Sequence, residues 1–337
     1  MPYSKRVAAA TAFGTLGLAT VLSRIASLFR HDIRILIYHR VVDPNRAYDA
    51  ANVSATPDQF GRQLDYIAQE YDVIGFADLL AVYKGRQTLP KRPLLITFDD
   101  GFADNYAFAF PALSERNLTA AFFVTTEHIG QRELFWFDKI GFLLRHARET
   151  SWDLLDGRSI ELVDRDHASV LREILERLKS LPNAQRLEQV RILEERTLDG
   201  TEAVDEINFP MTWAQLEEML RGGMEIYSHT CTHPVLSTVQ HEDEIRRELT
   251  VSKDEIEKRL GSSCDVFAYP VGRWSSYDER ALRLLKECGY ELACINESGT
   301  NHLNKTSKLE LYRIPVDAFQ NDHSFKSLVA QPGLFAY

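Results

Sequence analysis

Cysteine is scarce in this chain, and the four that occur, Cys231, Cys264, Cys288 and Cys294, form no CxxC pair. That spacing argues against a zinc–thiolate site and against a disulfide framework. Positive charge is in deficit as well: 39 Lys and Arg face 49 Asp and Glu, for a formal net charge of −10. Such a balance argues against nucleic acid as a partner, because binding to a phosphate backbone rests on Lys and Arg. Internal repeats are absent, as are low-complexity tracts beyond the N-terminal segment. Long uncharged runs are nearly missing too. The exception is VAAATAFGTLGLATVLS, residues 7–23, which follows Lys5 and Arg6 and precedes Arg24 and Arg30. A basic start before an uncharged apolar run predicts that residues 1–30 are a signal or membrane-anchor segment. The alternative is an amphipathic helix lying on the protein or on a bilayer. The run is short for a spanning helix, and basic residues at both ends leave its topology open.

What the sequence does contain is alternation. With 337 residues and 45% hydrophobic content, there is enough chain for one large α/β domain or two ordinary ones. Strand-like strings recur at 33–42 (IRILIYHRVV), 93–98 (PLLITF), 117–126 (NLTAAFFVTT), 223–230 (GMEIYSHT), 264–270 (CDVFAYP) and 290–296 (YELACIN). Helical patterns lie between them. Residues 54–71 place Phe60, Leu64 and Ile67 at helical spacing behind a Thr-Pro-Asp turn signal, and residues 241–260 form another such stretch. This order predicts a parallel α/β fold, either an open sheet or a barrel. Residues 139–210 break the alternation. There, 167–182 and 185–197 predict a pair of antiparallel helices with charged outer faces, an insertion in a main unit spanning 31–337.

Two adjacent acids, Asp99 and Asp100, end the PLLITF strand. A buried strand end with two carboxylates requires a cation or a set of donors, because each acid loses its hydration. About 130 residues on, YSHTCTHPVLS carries His229 and His233 at a spacing that lets both imidazoles face one ion on a helical turn. Two histidines and one carboxylate form a catalytic ligand set that leaves positions open for water and substrate. Both motifs sit at the C-terminal ends of predicted strands, where α/β barrels place their chemistry. One aspartate can bind the metal. Its neighbour points elsewhere along the strand and is free to take a proton from water activated by the ion, which predicts hydrolysis of an amide or ester.

TFDDG together with SHTCTHP and FAYPVGRW resembles the polysaccharide deacetylase (NodB-homology) family, carbohydrate esterase family 4, over residues 33–317. The resemblance implies a distorted (β/α)7 TIM-like barrel. It also implies Asp99 as general base, with Asp100, His229 and His233 holding a divalent ion, Zn2+ or else Co2+, Ni2+ or Mn2+. A backbone N–H after Pro270, that of Val271, would then stabilise the oxyanion. Two features depart from the family pattern. The arginine expected two positions before Pro270 is replaced by Ala268, with Arg273 as the nearest substitute. The leucine-x-histidine motif that supplies a general acid is missing, which leaves His302 as the candidate by its location. His39, Tyr106, Trp136, Asp138, Tyr269, Pro270 and Trp274 are the expected substrate contacts, on the grounds that aromatic faces and a carboxylate suit sugar rings. The implied activity is removal of N-acetyl groups from a bacterial polysaccharide or lipid-linked glycan, in a membrane-associated, periplasmic or envelope setting. The partner is then an acetylated glycan, with membrane contact through residues 7–23 and no nucleic acid. The alternatives are a hydrolase of small non-peptide amides on the same barrel and an inactive carbohydrate-binding member.

Overall fold

The computed structural model describes residues 10–11, 32–198 and 203–335. Seven strands build the main sheet: β1 (Arg34–Tyr38), β2 (Pro93–Phe98), β3 (Ala121–Val124), β4 (Glu225–Ser228), β5 (Val266–Ala268), β6 (Leu292–Cys294) and β7 (Ile314–Pro315). Their spatial order is β6-β5-β4-β3-β2-β1-β7, and a short strand at Asp72–Val73 pairs with β2 off this path. Every neighbouring pair is parallel. No ladder joins β6 to β7. The Cys294–Leu311 bridge instead ties β6 to the segment leading into β7, so the curled sheet approaches a distorted barrel. Parallel strands covered on both faces read as continuous apolar runs; β1 and β2 are buried at every position.

Helices alternate with the strands. They are α1 (Pro57–Glu70), α2 (Phe76–Tyr83), α3 (Phe110–Ser114), α4 (Trp136–His146), α5 (His167–Ser180), α6 (Asn183–Thr197), α7 (Trp213–Arg221), α8 (Glu242–Leu260), α9 (Glu279–Glu287) and α10 (Asp322–Ala330). Local sequence explains where they begin and end. Thr56 and Gln59 form a capping box around Pro57 at the start of α1. Gly261, at φ +66°, ends α8 in the left-handed conformation that glycine adopts without penalty. The core beneath the cleft is aromatic, with Phe98 and Phe122 stacked at 4.7 Å and Tyr38 at 5.3 Å from Phe98.

Between β3 and β4 the chain makes a long excursion. It contains α4, an antiparallel hairpin (Ser151–Asp153 with Ser159–Glu161), α5 and α6. Phe135, Ile140, Trp152, Ile174 and Leu193 belong to a hydrophobic cluster of its own. The helical pattern at 167–182 and 185–197 thus corresponds to α5 and α6. The hairpin has no strong signal in the sequence, because its strands are only three residues each with exposed flanks.

The uncharged run 7–23 lies outside the described residues except for Ala10 and Thr11. Those two rest on α10: Ser327 Oγ donates to the Ala10 carbonyl at 2.6 Å, and Asn321 Nδ2 donates to Thr11 Oγ1 at 3.0 Å. No helix among the described residues is long and apolar enough to cross a membrane.

Candidate active site

Strand register brings the motifs together. Tyr38 pairs with Phe98, Phe98 with Phe122, Val124 with Ser228, and Ser228 with Phe267. The residues that follow, His39, Asp99 and His229, therefore leave the sheet at the same level and at the same C-terminal end. They open onto a cleft of about 750 Å³ that Asp100, His233 and Val271 also line. The excursion adds Trp136 from α4 and Lys179 from α5 to the same cleft.

The backbone here is strained. Six non-glycine residues among those described have positive φ, and four of them are at the site: Asp100 at 74°, Thr230 at 70°, His233 at 58° and Val271 at 65°. A β-branched residue such as Val271 rarely adopts this conformation. Its concentration around one cleft is typical of positions where geometry is fixed for function rather than for stability.

Asp100, His229 and His233 offer ligand atoms that all lie within 4.8 Å of one another. The two Nε2 atoms stand 3.4 Å and 3.3 Å from Asp100 Oδ1. His229 Nδ1 donates to the Ala268 carbonyl at 2.8 Å, which aims Nε2 at the Asp100 carboxylate. Asp100 Oδ1 is buried without a well-formed hydrogen bond. Burial pushes His233 down to about 4, whereas at His229 burial is outweighed by the Asp99 and Asp100 carboxylates, which raise the imidazole. Two imidazole nitrogens converging on one buried carboxylate oxygen call for positive charge between them, a proton or a cation, and two histidines with one carboxylate fit a divalent ion. Burial by itself would raise the Asp100 carboxyl, but the two imidazoles outweigh it and hold it well below the usual carboxylate range.

Asp99 is held differently. Arg313 Nη1 donates to one of its oxygens at 2.6 Å and Nη2 to the other at 2.7 Å, with both side chains buried. Burial would raise this carboxyl; Arg313 and His229 outweigh it and lower it. Arg313 also donates through Nε to the Ile295 carbonyl at 3.0 Å. This corrects the expectation for Arg273, which is half exposed and lies 3.6 Å from Glu297. The arginine that orients Asp99 stands in LYRIPV, just before β7. Its signal was a lone charge inside an apolar strand string.

Other expected contacts move as well. His302 is not at the cleft. Its Nδ1 lies 3.0 Å from Asp32, and its neighbour Asn301 bridges Ile33, so it sits at the opposite end of β1. Tyr269 is buried, donates its hydroxyl to the Leu309 carbonyl at 3.0 Å, and faces the core; Pro270 is buried beside it. Tyr106 donates to Glu218 at 2.7 Å, away from the cleft. Asp138 is fully buried, neither oxygen has a partner, and burial pushes it up to about 7, so it does not present a carboxylate to a sugar. Trp274 is half exposed at the rim, between the cleft residues Arg273 and Ser275. His39 and Trp136 do line the cleft.

A family model for polysaccharide deacetylases matches residues 86–168 and 182–293. The chain belongs to the polysaccharide deacetylase family. The gap between the two matched stretches, 169–181, falls almost wholly on α5. The Bacillus subtilis (strain 168) protein YxkH is 20% identical over 246 residues, which is 72% of this chain and 59% of that relative's length. Among solved structures, the Streptococcus pyogenes deacetylase PplD in complex with acetate superposes with a TM-score of 0.58 at 21% identity, covering 89% of this chain and 97% of that one. IcaB from Ammonifex degensii gives a TM-score of 0.57 at 19% identity over 91% of this chain and 99% of its own. The deacetylase domain of BpsB from Bordetella bronchiseptica gives 0.52 at 21% identity, covering 85% and 96%. These structures share the fold.

Proposed function

We propose that this protein is a metal-dependent hydrolase that removes N-acetyl groups from a bacterial polysaccharide or lipid-linked glycan. The observation that carries this reading is the pairing of two aspartates with different duties. Asp99 is clamped by Arg313, while Asp100 faces His229 and His233 with an unpartnered oxygen. Zn2+ suits two imidazoles and one carboxylate. When bound, such an ion supplies Lewis acidity towards the acetamide carbonyl and the attacking water.

The chain's own residues do the rest. Asp99, kept ionised by Arg313, takes the proton of the attacking water. The bidentate contact fixes the plane of the carboxylate while leaving a lone pair on each oxygen. The backbone N–H of Val271, on a strained loop that lines the cleft, is the proposed oxyanion donor. His39 is the proposed acid for the leaving amine, since it is the only cleft imidazole among the described residues outside the ligand set. A cleft of about 750 Å³ is large for a small amide and suits several sugar rings. A solved structure of the same fold is in complex with acetate, the small product this reaction would release. The proposed setting is the cell envelope, with the N-terminal segment near a membrane.

Acetate release from N-acetylglucosamine oligomers, with Zn2+ or Co2+ supplied, tests the proposal. Asp99→Asn should lower turnover about 10²–10⁴-fold while elemental analysis shows metal content retained. Equal acetate release from wild type and variant would move the base elsewhere, and no release by the metal-loaded wild type would overturn the proposed activity.

A further inference from the structure

His39 stands at a break in the sheet. β1 ends at Tyr38, and a two-residue strand, Arg40–Val41, begins immediately after it. At His39 itself the ladder stops, so its backbone groups must find other partners. They find side chains. The His39 N–H donates to Ser54 Oγ at 2.9 Å, and the His39 carbonyl accepts from Asn105 Nδ2 at 2.8 Å. The imidazole makes no hydrogen bond to any described residue and lines the cleft.

The hold extends over the next two residues. Asp104 Oδ1 accepts the Val41 N–H at 2.9 Å and Asn105 Nδ2 at 3.0 Å, while its Oδ2 accepts Arg40 Nε at 2.8 Å. Arg40 and Asp104 are both fully buried. Arg40 then reaches Asn208 Oδ1 at 2.7 Å and the Ile207 carbonyl at 2.9 Å, on the segment where the excursion returns to the barrel. Asn105 opens a π-helical turn, Asn105–Ala109, only five residues after Asp100. Such turns are rare and concentrate at functional sites.

The geometry points to Asn105 and Ser54 as positioning residues. They hold the backbone of His39 so that its imidazole meets the leaving nitrogen of the substrate, and this rests on the reading of His39 as the acid given above. The step they serve is the collapse of the tetrahedral adduct of water and acetamide. The C–N bond breaks, its electron pair stays on nitrogen, and that nitrogen takes a proton from the His39 imidazolium. The amine and acetic acid leave, with the water proton held by Asp99 returned to solvent or to His39. Neither Asn105 nor Ser54 touches the reacting atoms; each acts through the backbone of residue 39. A shift of about 1 Å in such a group is worth about 10²-fold in rate.

Leaving-group dependence tests this. An N-acetylglucosamine hexamer releases a basic amine that needs a proton. 4-Nitrophenyl acetate releases a stable phenolate that does not. His39→Ala should lose about 10²–10⁴-fold on the hexamer and far less on the ester. Asn105→Ala and Ser54→Ala should show the same selectivity at about 10–10²-fold on the hexamer, with KM and metal content near wild type. Ser54→Thr, which keeps the hydroxyl, should restore the rate. In the double variant Asn105→Ala/His39→Ala, the asparagine change should cost almost nothing further. Equal losses on hexamer and ester for the Asn105 and Ser54 variants, with His39→Ala still selective, would overturn the positioning role and leave the acid assignment standing. Equal losses for His39→Ala itself would overturn both. Should Asn105→Ala fail to fold, Ser54→Ala against Ser54→Thr decides the matter.

Discussion

Asp138 shows at the scale of one residue what a position near the site can cost. Its carboxyl is fully buried with neither oxygen bonded, and burial raises it from 3.8 to about 7 against the lowering effect of Arg40. Below about pH 4 the group is protonated in both folded and unfolded chains, and the fold bears no penalty. As pH rises towards about 7 the unfolded chain ionises first, so stability falls across that window. A rise from 3.8 to about 7 corresponds to about 4 kcal/mol at most. Asp138→Asn keeps the shape and removes the titration. Urea unfolding at pH 5 and pH 8 should show wild type losing stability between the two and the asparagine variant losing much less, with the variant the more stable at pH 8. Parallel pH dependence in the two proteins would show that Asp138 does not carry this charge.

At the scale of elements, the turns after the strands decide the site, and turns are where sequence legibility divided. Asp99, Asp100 and His229 were readable because each sits next to an apolar run that must be a strand, and His233 by its spacing from His229, although a bend and not a helical turn joins the two histidines. Register then places them together. Arg313 was not readable as the partner of Asp99. It is 214 positions away in the chain, and only the closing of the sheet brings β7 beside β1. Likewise, the sequence could not tell His302 from His39 as the cleft imidazole, because strand direction sends one to each end of the same strand. Tyr269 and Asp138 misled for a simpler reason: residue type alone does not say which face of an element is buried. Gly101 follows the two acids, and the structure shows why it is glycine. Its φ is +93°, and a Cβ there would lie 3.1 Å from Val124 Cγ1 and 3.2 Å from Ile129 Cδ1. Gly101→Ala should therefore destabilise the protein by about 1–3 kcal/mol and loosen Asp100, the proposed metal ligand beside it. Chemical denaturation together with a zinc titration checks both effects, and an unchanged midpoint would show that the turn relaxes freely.

At the scale of the whole molecule, β6 and β7 share no ladder, and the arginine that holds Asp99 spans that seam. Arg313 precedes β7, bonds the Ile295 carbonyl just past β6, and binds Asp99 just past β2. One buried guanidinium thus ties three strand ends together. Removing one partner of a buried ion pair costs about 3–5 kcal/mol, because the other charge stays buried and unpaired. Arg313→Met should approach that loss in urea unfolding, with turnover falling as Asp99 loses its orientation. Asp99→Asn/Arg313→Met leaves no unpaired charge, so its destabilisation should fall well short of the sum of the single changes. Asp99 also sets an acid limit on the fold. Its carboxyl is lowered in the folded state, so its stabilising effect is present above the ordinary carboxylate range and disappears as pH falls through the folded value. Acid unfolding of Asp99→Asn should accordingly be less steep than that of wild type. Additive destabilisation in the double variant would mean that the pair is not coupled, and that the seam is held by the Cys294–Leu311 bridge and its neighbours instead.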